Sequence, residues 1–312
     1  MFFPAPCALS FQAGYRCRHS GACCTAGWPI PVDEGRAALI RAGSAQRLVP
    51  AGNFLPKDSS GACGFYDRDA RLCRIHARLG LDALPISCAH FPRRLLIEDD
   101  RIAISLSHFC PTVAGMLFDP GATGCPAGQP GIVEAPRLLE GIEPEGLDAR
   151  GAWPPLLRPG VLAGVAAYRL WERAVVEMLA AAEGGADAAL ARAAAMTREI
   201  AGWTPGAGPL ESWVVARARA SSRSPVVDPP AASDWGGHDP AVGRYLAAKA
   251  FANWVAYLGD GLQAVLGSVE RALAVLREEA AAACARASRP LDRPLLTEAF
   301  RRADLRLMHL DR

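Results

Sequence analysis

The placement of cysteine limits what this chain can fold into more than any other feature of its sequence. The chain has 312 residues and ten cysteines, and seven of the ten lie between positions 17 and 110. These seven are Cys17, Cys23, Cys24, Cys63, Cys73, Cys88 and Cys110. Four of the six histidines lie in the same segment: His19, His76, His90 and His108. We therefore expect residues 1–118 to carry most of the metal-binding or nucleophilic groups of the chain.

Composition indicates a globular protein without a polyanionic partner. Apolar residues make up 51% of the chain and charged residues 21%, which is enough material for a sizeable core. The formal net charge is only +2, so the chain lacks the strongly basic field that attracts nucleic acid or an anionic membrane surface. Nearly all basic residues are arginines, and Lys57 and Lys249 are the exceptions.

The sequence also predicts that the protein stays in the cytoplasm. The first residues lack a basic start, and Pro4 and Pro6 interrupt their short apolar run, which is unlike a secretory signal. The most apolar long stretch, residues 161–179, contains Arg169 and Glu172. It therefore falls short of the roughly 18 apolar residues of a membrane-spanning helix. We expect no membrane insertion.

Short hairpins and short helices are predicted in the cysteine-rich part. Two polar turns are each flanked by two apolar runs, which fits two-stranded hairpins. The four runs are residues 64–66, 72–75, 94–97 and 102–105. Short helices fit residues 33–41 and 110–118.

Composition divides the chain into three parts. Residues 119–160 contain eight prolines and eight glycines, which disfavours regular structure and indicates a linker or a loop that wraps the surface. We expect a cysteine-cluster metal-binding domain over 1–118 and a helical domain over 161–312, where apolar residues recur at helical spacing from Leu162 onward. The predicted fold class is mainly α with small β hairpins: a loop-rich cysteine-cluster metal-binding half followed by a helical bundle.

The three thiols within residues 17–24 favour metal ligation. The small residues at 20–22 allow the backbone to fold tightly there, and zinc and iron-sulfur clusters prefer thiolate ligands. In extended backbone the adjacent Cys23 and Cys24 point to opposite sides, so we expect the two not to ligate equivalently. Two alternatives to metal ligation stay open. In the first, the cysteines are buried small apolar residues or form disulfides; in the second, they form a thiol redox sensor.

At these positions the chain resembles the cysteine-cluster proteins described as zinc or iron chelators, and among them the flagellin lysine-N-methylase type. The resemblance covers about the first 118 residues. It rests on Cys17, Gly21, Cys23, Cys24, Gly27, Trp28, Cys63, Phe65, Cys73, Ile75, Pro85, Cys88, Phe91, Pro92, Arg93, Ser107, Cys110 and Pro111. One position departs from the family, because Ser20 stands where the early C-x-x-C-x-x-C-C pattern has its second cysteine.

The resemblance implies an iron-sulfur cluster, with zinc as the alternative, and methyl transfer from S-adenosylmethionine to lysines of a protein such as flagellin. Because of Ser20, a four-thiolate site would need Cys73 and Cys88, with Cys63 and Cys110 in reserve. The sequence shows no glycine fingerprint of a conventional cofactor pocket, and it identifies no catalytic base. A zinc- or iron-binding module without catalysis is therefore the alternative function.

Four further side chains near the cysteines are candidates for binding. Arg93 would pair with a carboxylate or phosphate of a cofactor, and Trp28 would stack on it. The competing interpretations are a solvated arginine and an aromatic residue that covers the core. His76 and His90 lie close to cysteines in the sequence, and each would replace a thiolate ligand or form a hydrogen bond that orients one.

Overall fold

The computed structural model of the chain describes residues 4–44, 48, 53–119, 131–222 and 235–310. The strands are β1 (Pro6–Leu9), β2 (Tyr66–Asp67), β3 (Leu72–Cys73), β4 (Arg93–Ile97), β5 (Ile102–Leu106), β6 (Ile132–Glu134), β7 (Leu147–Asp148), β8 (Leu156–Arg158) and β9 (Val161–Leu162). The helices are α1 (Ala22–Thr25), α2 (Glu34–Gly43), α3 (Arg74–Leu79), α4 (Ile86–His90), α5 (Pro111–Met116), α6 (Val165–Ala181), α7 (Ala186–Ala201), α8 (Leu210–Ser221), α9 (Asp239–Ala250), α10 (Leu262–Ala287) and α11 (Arg293–Leu310). The fold is mainly α, as the sequence predicts.

Both predicted hairpins and both predicted short helices are present. The hairpins are β2–β3 and β4–β5, and the helices are α2 and α5. Helix α2 begins after Asp33, whose carboxylate accepts a hydrogen bond from the backbone N–H of Arg36 at 3.0 Å. Helix α5 begins at Pro111, whose fixed φ suits the first helical position.

The β4–β5 hairpin lies inside a five-stranded sheet of order β6-β1-β5-β4-β7. Strand β1 is parallel to β5 and antiparallel to β6. Strands β6 and β7 belong to the 119–160 segment, so the expectation that this segment has little regular structure is wrong for them. Both are short edge strands, and a formed sheet edge offers backbone hydrogen bonds that need little sequence pattern. Residues 120–130, which include Cys125, lie outside the described part.

The two faces of the sheet belong to different cores, because side chains alternate along a strand. Leu96 and Ala103 join the core that contains Trp171 and the bundle helices. Leu95 and Ile104 join the core on the opposite face, next to α5. A third apolar cluster lies beneath the loops that carry the cysteines. The sheet and the bundle thus share one core, and the domain boundaries at 118 and 161 stay a prediction.

The second part of the chain is a bundle in which α6 packs against α7, α8 and α9, and α10 packs against α11. Its first helix begins at Val165 and not at Leu162, because Gly164 has φ +73° and residues 161–162 pair with β8 as strand β9. Within the described ranges, no helix is both long enough and apolar enough to cross a membrane.

A buried charge network joins the β4–β5 turn to α6. Arg101 pairs with Glu98, and its Nη1 donates to the Glu172 carboxylate at 2.6 Å. The Tyr257 hydroxyl donates to Glu98 at 2.5 Å, and the backbone N–H of Ala252 donates to Glu172 at 3.0 Å. Buried charges are costly unless they are paired, so this network fixes how the sheet lies on the helices.

Candidate functional site

One cavity of about 230 Å³ gathers the cysteines of the first part of the chain. Its wall includes all seven thiols predicted to ligate a metal: Cys17, Cys23, Cys24, Cys63, Cys73, Cys88 and Cys110. They come from the loop before α1, from α1 itself, from the β2–β3 hairpin and the loop before it, from α4, and from the turn after β5. The fold therefore brings together thiols that are far apart in the sequence.

A left-handed glycine shapes the first cluster of thiols. Gly21 has φ +74° and precedes α1, a single helical turn that carries Cys23 and Cys24. A side chain at Gly21 would overlap the ring of Tyr66, so the position requires glycine. Adjacent side chains of a helix are about 100° apart, so both thiols line the cavity, with their Sγ atoms 4.0 Å apart. The expectation that the two point to opposite sides is wrong, because it assumed extended backbone.

Backbone structure holds the other thiols on the wall. The backbone N–H of Cys63 donates to the carbonyl of Cys24 at 2.7 Å, which links the loop before β2 to α1. Cys73 is the N-cap residue of α3, Cys88 lies within α4, and Cys110 is the N-cap residue of α5. Each thiol is thus attached to a short helix or a hydrogen-bonded turn.

Hydrogen bonds among the thiols separate their pKa values. The hydrogen bond with Cys24 is the main cause that lowers the pKa of Cys73 to about 6, and a similar bond lowers the pKa of Cys23. These bonds raise the pKa of Cys24, which keeps its proton. Burial raises the pKa of Cys88 to about 12 and also raises that of Cys63. Cys73 and Cys23 are therefore the two of these five thiols whose ionised form is favoured, and the thiolate is the form of sulfur that binds metals.

The donor set suits a thiolate-bound metal, but the thiols are not drawn together around one point. Among the residues that the structure describes, no group of three or more His, Cys, Asp or Glu side chains is arranged to hold a metal ion. Ligation by four thiols would require the short loops to close around the metal as it binds.

The two predicted cofactor contacts lie in different places. Arg93 is on the cavity wall, where its Nε donates to the carbonyl of Leu138 and its guanidinium lies 5.6 Å from the centroid of the Tyr15 ring. Trp28 lies outside the described lining and packs on Phe109, with ring centroids 5.1 Å apart. The packing of Trp28 fits a residue that covers the core. A role for either side chain in cofactor binding stays a prediction.

The two histidines considered as ligands also differ. His76 lines the cavity, whereas His90 lies outside the described lining. The Nε2 of His90 is 2.8 Å from the carbonyl oxygen of Glu143. That hydrogen bond attaches α4 to the segment after β6, which is a structural role.

A buried carboxylate on the last helix holds the turn after β5. Asp304 of α11 accepts hydrogen bonds from the hydroxyl of Ser107 at 3.2 Å and from the backbone N–H of His108 at 2.5 Å. It also accepts one from the hydroxyl of Tyr245 at 3.2 Å and pairs with Lys249. The bundle therefore fixes the backbone just before Cys110.

A second contact from the same helix reaches the next residue of the turn. Arg301 donates from Nε to the carbonyl of Phe109 at 3.1 Å, and its guanidinium lies over the Phe109 ring. On the cavity side, the hydroxyl of Tyr15 is 4.0 Å from the Sγ of Cys110. Helix α11 thus supports one wall of the cavity from outside.

Comparison with known proteins assigns the chain to a family. The flagellar biosynthetic protein FliU of Salmonella muenchen is 32% identical over 119 aligned residues, which cover 32% of this chain and 68% of that protein. The chain belongs to the family of this FliU protein. No protein-family model and no solved structure matches it.

Two further relatives of this FliU-family chain are named lysine-N-methylase. The one from Salmonella choleraesuis is 32% identical over 126 aligned residues, and the one from Salmonella typhimurium is 30% identical over 130. Each match covers 35% of this chain and 30% of the relative, so the chain matches about a third of the length of these two proteins. This distant, partial similarity supports a relation to the lysine-N-methylases. Membership of the wider cysteine-cluster group stays a prediction.

The sequence did not predict several side chains on the wall of the thiol cavity. Tyr15, Lys57 and Arg71 line it beside the thiols, and none is among the site residues that the sequence predicts. Lys57 had one visible signal, because it is one of only two lysines in a chain whose other basic residues are arginines. Tyr15 and Arg71 each lie two residues before a cysteine, which is the signal that could have found them.

Proposed function

We propose that this FliU-family chain is a protein-lysine N-methyltransferase whose thiol-lined cavity holds a metal centre, an iron-sulfur cluster in preference to zinc. The observation that carries the metal centre is that seven cysteines from separate loops line one cavity. The similarity to two lysine-N-methylases supports the methyl transfer. The proposed methyl donor is S-adenosylmethionine, the proposed substrate is a protein such as flagellin, and the proposed location is the cytoplasm.

The side chains of the wall set the conditions for such a reaction. S-adenosylmethionine, when bound, supplies the methyl group. A lysine amine can accept that group only after it has lost a proton. Positive side chains such as Lys57 and Arg71 disfavour a second ammonium nearby, so a lysine that approaches them has a lowered pKa. His19 and His76 are the imidazoles on the wall that could take its proton.

One observation favours the second candidate, a metal-binding module without catalysis. The cavity of about 230 Å³ is smaller than the roughly 300–1,000 Å³ that pockets for small-molecule ligands occupy. A metal centre would fill much of it. S-adenosylmethionine would then need a site that extends beyond the thiols.

Metal analysis followed by a methyl-transfer assay tests the proposal. Protein purified without oxygen is expected to be brown and to contain iron and acid-labile sulfide. It is also expected to bind S-adenosylmethionine saturably in calorimetry and to methylate lysines of added flagellin, as read by mass spectrometry. Cys7→Ser removes a thiol of β1 that lies away from the cavity wall, so this variant is expected to keep the metal content of the wild type.

Two results would contradict the methyltransferase. Colourless protein with tightly bound zinc and no heat of S-adenosylmethionine binding would establish the second candidate, a metal-binding module without catalysis. Brown holoprotein with full iron and sulfide that neither binds S-adenosylmethionine nor methylates flagellin would leave a metal centre without this reaction.

A further inference from the structure

The wall of the thiol cavity carries positive charge and no carboxylate. The lining that the structure describes includes Lys57, Arg71 and Arg93, and it contains no aspartate or glutamate. His19 and His76 add two imidazoles. The thiols are therefore the main groups on this wall that can become anions.

Among the described cations of this wall, Lys57 has a buried charged group without a partner, whereas Arg71 is exposed to solvent. Its Nζ is shielded from solvent, and no group in the described part of the chain accepts a hydrogen bond from it. A surface lysine would extend its ammonium into water. Here an antiparallel backbone bridge pairs Lys57 with Cys63 and holds it against the cavity. The guanidinium of Arg93, by contrast, already donates to Leu138.

An ammonium that is shielded from bulk solvent and has no acceptor in the described part of the chain is costly, so its presence points to an anionic occupant of the cavity. Thiolates around a metal provide one, because four thiolates on a divalent ion leave two negative charges. Lys57 lies on the same cavity wall as the thiols, so its positive charge attracts an anion that forms among them.

We propose that the ammonium of Lys57 is the counter-charge of an anionic thiolate centre in this cavity. The cavity therefore takes a net-anionic occupant, and a substrate lysine that approaches it does so as the neutral amine. This inference rests on the metal centre of the proposed function, but it does not depend on methyl transfer.

Zinc binding to the full, reduced chain tests the counter-charge. Lys57→Met removes the charge and keeps an apolar stem of similar length. We expect it to weaken zinc affinity on the order of tenfold, as measured by competition with a chromophoric chelator. Arg78→Met is the matched control, because Arg78 is exposed on α3 and lies outside the cavity lining. It removes the same charge from the protein and is expected to change the affinity by less than about twofold, since solvent screens it.

Stability of the metal-free chain gives a second readout with the opposite sign. Without metal, Lys57→Met removes an uncompensated buried charge, so its thermal midpoint is expected to rise above that of the wild type. A residue with only a structural role would lower both stability and zinc affinity. Unchanged zinc affinity, or a lower thermal midpoint in the metal-free variant, would rule out Lys57 as the counter-charge but would not contradict the metal centre. A wild-type chain that takes up neither zinc nor iron would overturn both.

Discussion

Replacing Asp304 with alanine is expected to lower the free energy of unfolding by about 3–5 kcal/mol, because it leaves buried partners of a charged group uncompensated. Asp304 is 3% exposed and accepts hydrogen bonds from Ser107, His108 and Tyr245 while it pairs with Lys249. Urea denaturation followed by circular dichroism measures the change at neutral pH.

An exposed acidic residue provides the control for Asp304→Ala. The side chain of Glu278 is 59% exposed and pairs with Arg306 at 2.5 Å. Glu278→Ala is therefore expected to cost less than about 1 kcal/mol. Equal losses for the two variants would mean that the buried network around Asp304 contributes no more than a surface ion pair.

The difference in unfolding free energy between the wild type and Asp304→Ala is expected to depend on pH. Burial alone would raise the pKa of Asp304, but Lys249 and His108 lower it well below its ordinary value. The unfolded chain therefore binds the proton first, and the stability that Asp304 contributes is lost as pH falls below about 4. The difference between wild type and Asp304→Ala is expected to be constant from pH 7 to 5 and to shrink below 4. A difference that grows in acid would contradict this assignment.

Single substitutions of Cys17, Cys73 and Cys88 are each expected to abolish metal retention. Cys17→Ser, Cys73→Ser and Cys88→Ser each remove a lining thiol from a different loop or helix. A four-thiolate site loses a ligand in each case, and the remaining thiols are held on separate loops. Iron and zinc content after gel filtration, measured by mass spectrometry of the metals, provides the readout.

Cys284→Ser controls for the loss of a thiol as such, because Cys284 lies in α10 and outside the cavity lining. It is expected to retain the full metal content. Full retention in all three cavity variants would show that the metal, if bound, is held by other groups. Retention in one of them would remove that cysteine from the ligand set.

Local sequence pattern predicts the elements whose signals are local. Both hairpins flank visible polar turns, and the helices follow apolar spacing, so these elements lie close to where the sequence places them. Strand β1 gives no such signal, because Pro6–Leu9 is short and pairs with β5, which follows much later in the chain. Local sequence pattern does not predict the edge strands β6 and β7 for the same reason. Their pairing partners exist only in the folded sheet.

The candidate site, like the fold, is only partly predictable from the sequence. The seven cysteines that the sequence predicts as metal ligands line one cavity, and their ligation of a metal stays a prediction. The orientation of Cys23 and Cys24 depends on a helical turn set by the φ of Gly21, which the sequence pattern does not show. The buried ammonium of Lys57 has no partner and the buried carboxylate of Asp304 pairs with Lys249, and tertiary structure alone determines both features.

The support that α11 gives to the turn before Cys110 has a consequence for the order of events during protein synthesis. The early thiols leave the ribosome first, yet β1 must wait for β5 and β6, and the 107–109 backbone must wait for Arg301 and Asp304. Contacts between segments so distant along the chain form late. We therefore expect the nascent chain to carry its cysteines exposed until α11 has been synthesised, so the thiol cavity is completed late and its thiols depend on a reducing environment in the meantime.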